Sequence, residues 1–197
     1  MNEHFDVKTN SAVVKSAKIM HLCSSVIFLI AGLLIALIPS FDDFDFFGTI
    51  VVGIASIVIG VTGIYGYFSN DMYRLAFQSD FALGIFNVIL GILLIIKPVQ
   101  LPVLLPTAIS ILTLLDGGNK SQIAIEGQRF GIHKWYLVVL SAVLEIAAGI
   151  VLMILAYYDM DVRIWMGIAM GIVGVTNFWT TMYTVRIREN HQILKNQ

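Results

Sequence analysis

The chain has 197 residues and a formal net charge of −1. Charged side chains make up 13% and hydrophobic ones 58%, whereas a soluble domain carries about 25% charged residues. A soluble core of this length has too little interior for that much apolar surface, and the charge leaves no electrostatic footprint for nucleic acid; a soluble enzyme, a nucleic-acid binder and a disordered chain are excluded in favour of an integral membrane protein.

A hydrocarbon layer of about 30 Å needs roughly 20 apolar residues in helix. Six runs qualify as candidate spans. Ile19–Ile38 and Phe46–Phe68 carry no formal charge. Phe81–Ile96 is shorter, flanked by Asp80 and Lys97, whose stems reach outward. Pro98–Leu115 is charge-free, with Pro102 and Pro106 near its start, where a helix best accommodates proline. Asp116 followed by Gly117 and Gly118 reads as the stop of that span. Trp135–Tyr158 contains one charge, Glu145, and Ile164–Val185 contains none. The apolar runs are continuous rather than alternating, so they predict helices and not a barrel. The first run is too long for a cleavable leader and reads as a signal anchor.

Orientation follows the basic residues. Lys8, Lys15, Lys18, Arg74, Lys120, Arg129, Lys134, Arg186, Arg188 and Lys195 fall on one side, and only Lys97 and Arg163 on the other. The second side also collects Asp42, Asp43, Asp45, Asp159 and Asp161. Both termini are thereby expected in the cytoplasm. The expected architecture is an all-α membrane protein with a cytoplasmic arm (1–18), a six-helix domain (19–185) and a cytoplasmic tail (186–197).

Self-similarity organises these spans. Ala31–Pro39 reads AGLLIALIP, Leu90–Pro98 reads LGILLIIKP, and Ala148–Ala156 reads AGIVLMILA. Gly32, Gly91 and Gly149 are thus spaced at 59 and 58 residues. In the even spans, Ser56, Gly60, Gly63 and Gly66 align with Gly167, Gly171, Gly174 and Asn177, and less well with Ile109, Thr113, Asp116 and Asn119. Three tandem hairpins (about 19–68, 76–118 and 135–185) are expected, as parallel repeats about an axis along the membrane normal. Between helices in lipid, close backbone approach replaces the hydrophobic drive. The glycines, Gly32, Gly60, Gly63, Gly91, Gly149, Gly167, Gly171 and Gly174, are therefore read as packing positions.

Hairpins of this length, with a mid-span glycine and a closing proline (Gly32 with Pro39, Gly91 with Pro98), resemble the HdeD-like membrane proteins over residues 19 to 185. Ala156 departs from the closing proline, and Asp116 stands where a glycine is usual. The resemblance implies a short repeat of unknown function and, through the family's namesake, a link to acid-stress resistance in bacteria. It transfers no catalytic or ligand residue.

Ionisable groups inside a span are functional candidates by default. Glu145 lies ten residues beyond Trp135, about 15 Å deep at the helical rise. Its repeat equivalents are Asn87 and Phe28. Asp80, Gly84, Asn87 and Gly91 share one helical face, as do Ser141, Glu145 and Gly149, and likewise His21, Ser25, Phe28 and Gly32. Convergence of these stripes brings Glu145 to Asn87 and His21 to Asp80. The group is read either as a protonatable site on a proton or solute path, or as a hydrogen-bonded clasp between hairpins.

Other signals fail. Gly118-Asn119-Lys120-Ser121 lacks the glycine before lysine that a phosphate-binding loop requires. Cys23 is the only cysteine, and His4, His133 and His191 are scattered, so no metal set or cofactor is expected. Ser121–Lys134 reads equally as an interfacial helix or a solvated connection. The expected protein is non-enzymatic and multi-pass in a bacterial cytoplasmic membrane, with the lipid bilayer and either copies of itself or another membrane protein as partners. Three roles stay open: acid or envelope stress tolerance, a small transporter or channel, and a scaffold.

Overall fold

A computed structural model describes residues 11–37, 44–69, 80–98, 104–129, 131, 134–158 and 162–184. Pro39, Pro102 and the C-terminal tail lie outside them, as do Arg74, Asp42, Asp43, Asp159, Asp161 and the histidines His4, His133 and His191. Six helices follow one another: α1 (Ser11–Leu37), α2 (Phe44–Tyr67), α3 (Asp80–Ile96), α4 (Leu105–Arg129), α5 (Trp135–Tyr157) and α6 (Arg163–Thr184). Four of them, α1, α2, α5 and α6, are long and apolar enough to cross a membrane. The apolar α3 has 17 residues, about 26 Å of helix. The 25-residue α4 is long enough but carries a polar second half.

The outer surface identifies the solvent. Leu33, Ile89, Leu140, Val143, Ile154 and Val175 are each about half exposed, and every helix contributes large apolar side chains to the exterior. An apolar surface of that extent matches lipid, not water.

Three boundaries differ from expectation. The fourth span is expected from Pro98, whereas α4 begins at Leu105 with Pro106 in its first turn. The first helix begins at Ser11, with Val14 and Ala17 fully packed, so much of the expected arm is the start of α1. More consequentially, α4 does not stop at Leu115 but runs through Gly117 and Gly118 to Arg129. Gly117 packs against α5, where an added Cβ would stand 2.8 Å from Ile146 and 3.1 Å from the Ala142 carbonyl. The two glycines cost the helix roughly 1 kcal/mol each against alanine, an amount that tertiary contact readily offsets. The chain turns instead at Gly131, whose φ of 72° is left-handed. Ser121–Arg129 is therefore a continuation of α4, with Ile123 and Ala124 buried against Val138. Removing Lys120 from the side expected to be cytoplasmic leaves nine basic residues against two in the sequence count.

The tightest packing joins successive expected hairpins rather than the two helices within each: α2 lies along α3, α4 along α5, and α6 returns to α1. In each pair the same two positions meet. Gly53 faces Gly91, Gly167 faces Gly32, and Ser110 faces Gly149. One step along, Gly60 faces Gly84, Gly174 faces Ser25, and Gly117 faces Ala142. At Gly60, Gly91 and Gly167 a Cβ would come within 2.5 Å of the opposing carbonyl oxygen, which only glycine allows. Gly63 backs onto the Asp80 carbonyl. Position 53 thus corresponds to 110 and 167, which shifts the expected alignment with α6 by three residues for α2 and by one for α4. Gly171 is a correction: its added Cβ would meet nothing within 4 Å, so it is not a packing glycine through its side-chain direction. Gly167 packs inside the chain, against Gly32 and Ala36, and is not a free face for another copy.

Candidate functional site

Odd helices begin, and even helices end, at one end of the bundle. The opposite half is filled by Ile35, Leu94, Leu105, Leu152, Met166 and Met170, all at most 3% exposed. Packing there is dry. In the half where α3 begins and α6 ends lies a cavity of about 100 Å³, room for several waters or a small solute. Its walls come from α1, α2, α3, α4 and α6. Phe28, Val52, Ile59, Leu83 and Ile109 supply apolar surface, while Ser56, Asn87, Asp116, Asn177 and Thr180 supply polar groups.

Beside the cavity stands a cluster that the sequence reading missed. Lys120 is 1% exposed and Glu145 0%, and the Lys120 ammonium donates to Glu145 Oε1. The same nitrogen donates to Asp116 Oδ2 at 2.9 Å, one turn earlier on α4, and to Thr176 Oγ1 at 3.4 Å on α6. Thr176 also donates to Glu145, and the Asn177 amide donates to Asp116 Oδ2 at 3.1 Å. Helices α4, α5 and α6 are pinned together by this one network. Glu145 Oε2 has no hydrogen-bond partner among the described residues.

The expected stripes meet only in part. His21 Nε2 lies 3.5 Å from Asp80 Oδ2, and each side chain keeps 17% of its surface accessible. Both line the cavity. Glu145 and Asn87 do not meet. The Asn87 amide donates to the Leu83 carbonyl of its own helix at 2.9 Å, while Glu145 turns to Lys120 and Thr176 on the other side. The physical reason is that an ammonium within reach is a far stronger partner for a buried carboxylate than an amide. Phe28, the third equivalent, belongs to the apolar core.

A signal for Lys120 was present in the sequence. Asp116 and Lys120 are spaced i, i+4, the distance at which opposite charges pair along a helix. Reading Gly117-Gly118 as a stop left this spacing unused.

A family model described as a short repeat of unknown function, DUF308, matches the chain twice, over residues 23–96 and 82–154. The chain belongs to the DUF308 family. The two matches begin 59 residues apart, the same interval that separates Gly32 from Gly91, so the internal repeat rests on the family's own pattern. No curated protein and no solved structure matches.

Proposed function

We propose that this DUF308 protein is a non-enzymatic carrier of the bacterial cytoplasmic membrane, crossing it six times as three parallel-repeat hairpins with both termini cytoplasmic. It takes a small polar solute into its cavity, and the Asp116–Lys120–Glu145 cluster is its proton-accepting element. The observation that carries this reading is the polar cavity in one half of the bundle, backed by a dry apolar half. A structural clasp accounts for Lys120 and Glu145 alone. It does not account for a wall of serine, threonine and asparagine facing space inside a membrane bundle.

The test uses single cysteines on a Cys23→Ala background in oriented vesicles. Ser56→Cys should react with a small charged thiol reagent from the cytoplasmic face and not from the other. Absence of reaction from either face defeats the solute reading, and reaction from the outer face alone defeats the orientation. Glu145→Gln should retain the fold and abolish proton flux, which unchanged flux would contradict.

A role in acid or envelope stress is a second reading, supported by the resemblance to HdeD-like proteins and by the DUF308 repeat. It requires that deletion of the gene lower survival of an acid challenge, and equal survival counts against it. A scaffold or homo-oligomer role is a further reading: Gly167 is occupied by Gly32 and Ala36, which leaves Gly171, whose added Cβ would meet nothing within 4 Å, as the position where a bulky replacement tests it by the elution profile.

A further inference from the structure

We propose that the cavity is selective for a small organic cation, an ammonium- or amine-bearing solute. This rests on the solute-binding reading and specifies its ligand. Two hydroxyls point to a ligand of some kind. Ser56 Oγ and Thr180 Oγ1 belong to residues only 1% and 6% exposed, both line the cavity, and neither has a hydrogen-bond partner among the described residues. Buried hydroxyls are rarely left so.

Charge decides which ligand. Four ionisable side chains line the cavity: Asp80 on α3, Asp116 and Lys120 on α4, and His21 on α1. An ammonium has three donors, and those of Lys120 are directed to Asp116, Glu145 and Thr176. None is left for an anion. Asp116 receives both Lys120 and Asn177 on Oδ2, and its side chain keeps 25% of its surface accessible, which leaves Oδ1 as an acceptor. An anion entering here meets the carboxyl groups of Asp80 and Asp116 and an ammonium whose donors are already directed elsewhere. A cation meets carboxylate oxygens and two hydroxyls able to accept. Phe28, Val52 and Ile59 on the same walls suit an alkyl portion better than a hydration shell, which favours an organic ammonium over a metal ion. Among the described residues no group of three metal-binding side chains is assembled.

The experiment measures thermal unfolding of the purified full chain in detergent micelles with propylammonium, propanol, propionate, and sodium or potassium chloride at equal ionic strength. Propylammonium alone should raise the midpoint. Asp116→Asn, Asp80→Asn and Thr180→Val should each weaken its apparent affinity at least about tenfold; circular dichroism identifies variants that fold. Equal effects of propanol or propionate overturn the cation assignment and leave the solute cavity standing. An equal effect of sodium or potassium overturns the organic ligand. Full binding by folded Asp116→Asn and Asp80→Asn overturns the role of the carboxylates. If no probe binds, labelling of Ser56→Cys separates the two failures: a reactive cysteine sinks only the cation, and an unreactive one sinks the cavity reading with it.

Discussion

Replacing Lys120 with methionine keeps the length of the side chain and removes its charge. Glu145 then loses its cationic partner Lys120 while staying 0% exposed, and Asp116 loses one of its two donors among the described residues. Breaking a buried ion pair on one side costs about 3–5 kcal/mol, because the other charge remains without compensation. Helices of a membrane protein stay helical in the unfolded micellar state and find partial substitutes for lost partners, so the lower part of that range is expected. Removing both charges, as Lys120→Met with Glu145→Met, should restore most of the stability, since apolar replacements of similar volume are often neutral. The assay is reversible unfolding by SDS titration in mixed micelles, followed by tryptophan fluorescence. The two single variants and the double then give a coupling of about 3 kcal/mol or more. A Lys120→Met variant within about 1 kcal/mol of the parent, or a double variant at the additive sum, would show that the network does not hold α4 to α5 and α6.

Three further outcomes follow from packing and exposure. Gly60→Ile should prevent α2 from lying along α3, because even a Cβ there stands 2.5 Å from the Gly84 carbonyl; loss of the folded fraction in size-exclusion profiles is the readout, and a normal profile refutes the close approach. Gly118→Ala should instead raise stability by about 0.5–1 kcal/mol, since its Cβ meets nothing within 4 Å; a fall in the unfolding midpoint would mean that α4 breaks there. Cys23 is exposed on the outer face of α1 and should resist charged thiol reagents in vesicles while reacting with lipid-soluble maleimides. Labelling by the charged reagent would place that face in water.

Much of the architecture was legible because hydropathy and the element boundaries coincide where lipid ends. The limits of α2, α3, α5 and α6 fall within two residues of the runs read from charge alone. Hydropathy is silent about a helix that continues with polar residues turned inward, and α4 is such a helix. Its second half contains Asp116, Asn119 and Lys120 on the cavity side and Ile125 outward, a pattern that averages to a loop-like composition. The depth of Glu145 was legible from its distance to Trp135, and its burial from the cost of charge in lipid. Its partner was not, because that partner had been assigned to water. The pairing of helices across hairpins was equally hidden: glycine spacing tells that a helix packs closely, without telling on which neighbour.

The contact register makes the position of the cluster intelligible. At the four shared places the α2–α3 pair has glycine throughout, Gly53, Gly60, Gly84 and Gly91, and α6–α1 has three, Gly167, Gly174 and Gly32. Between α4 and α5 only Gly117 and Gly149 remain, with Ser110 and Ala142 in the other places. Where backbones approach less closely, dispersion and weak carbonyl contacts hold the helices less strongly, and this is the interface that carries the Lys120–Glu145 ion pair. The charge therefore stands at the seam where glycines are fewer. Hydrogen exchange on Lys120→Met in micelles tests this directly. Amides of α4 and α5 should exchange faster, while α2 and α3, joined through close glycine packing away from Lys120, should keep the parent's protection. A uniform increase over all six helices would mean that the bundle opens as one unit and that the α4–α5 seam has no separate stability.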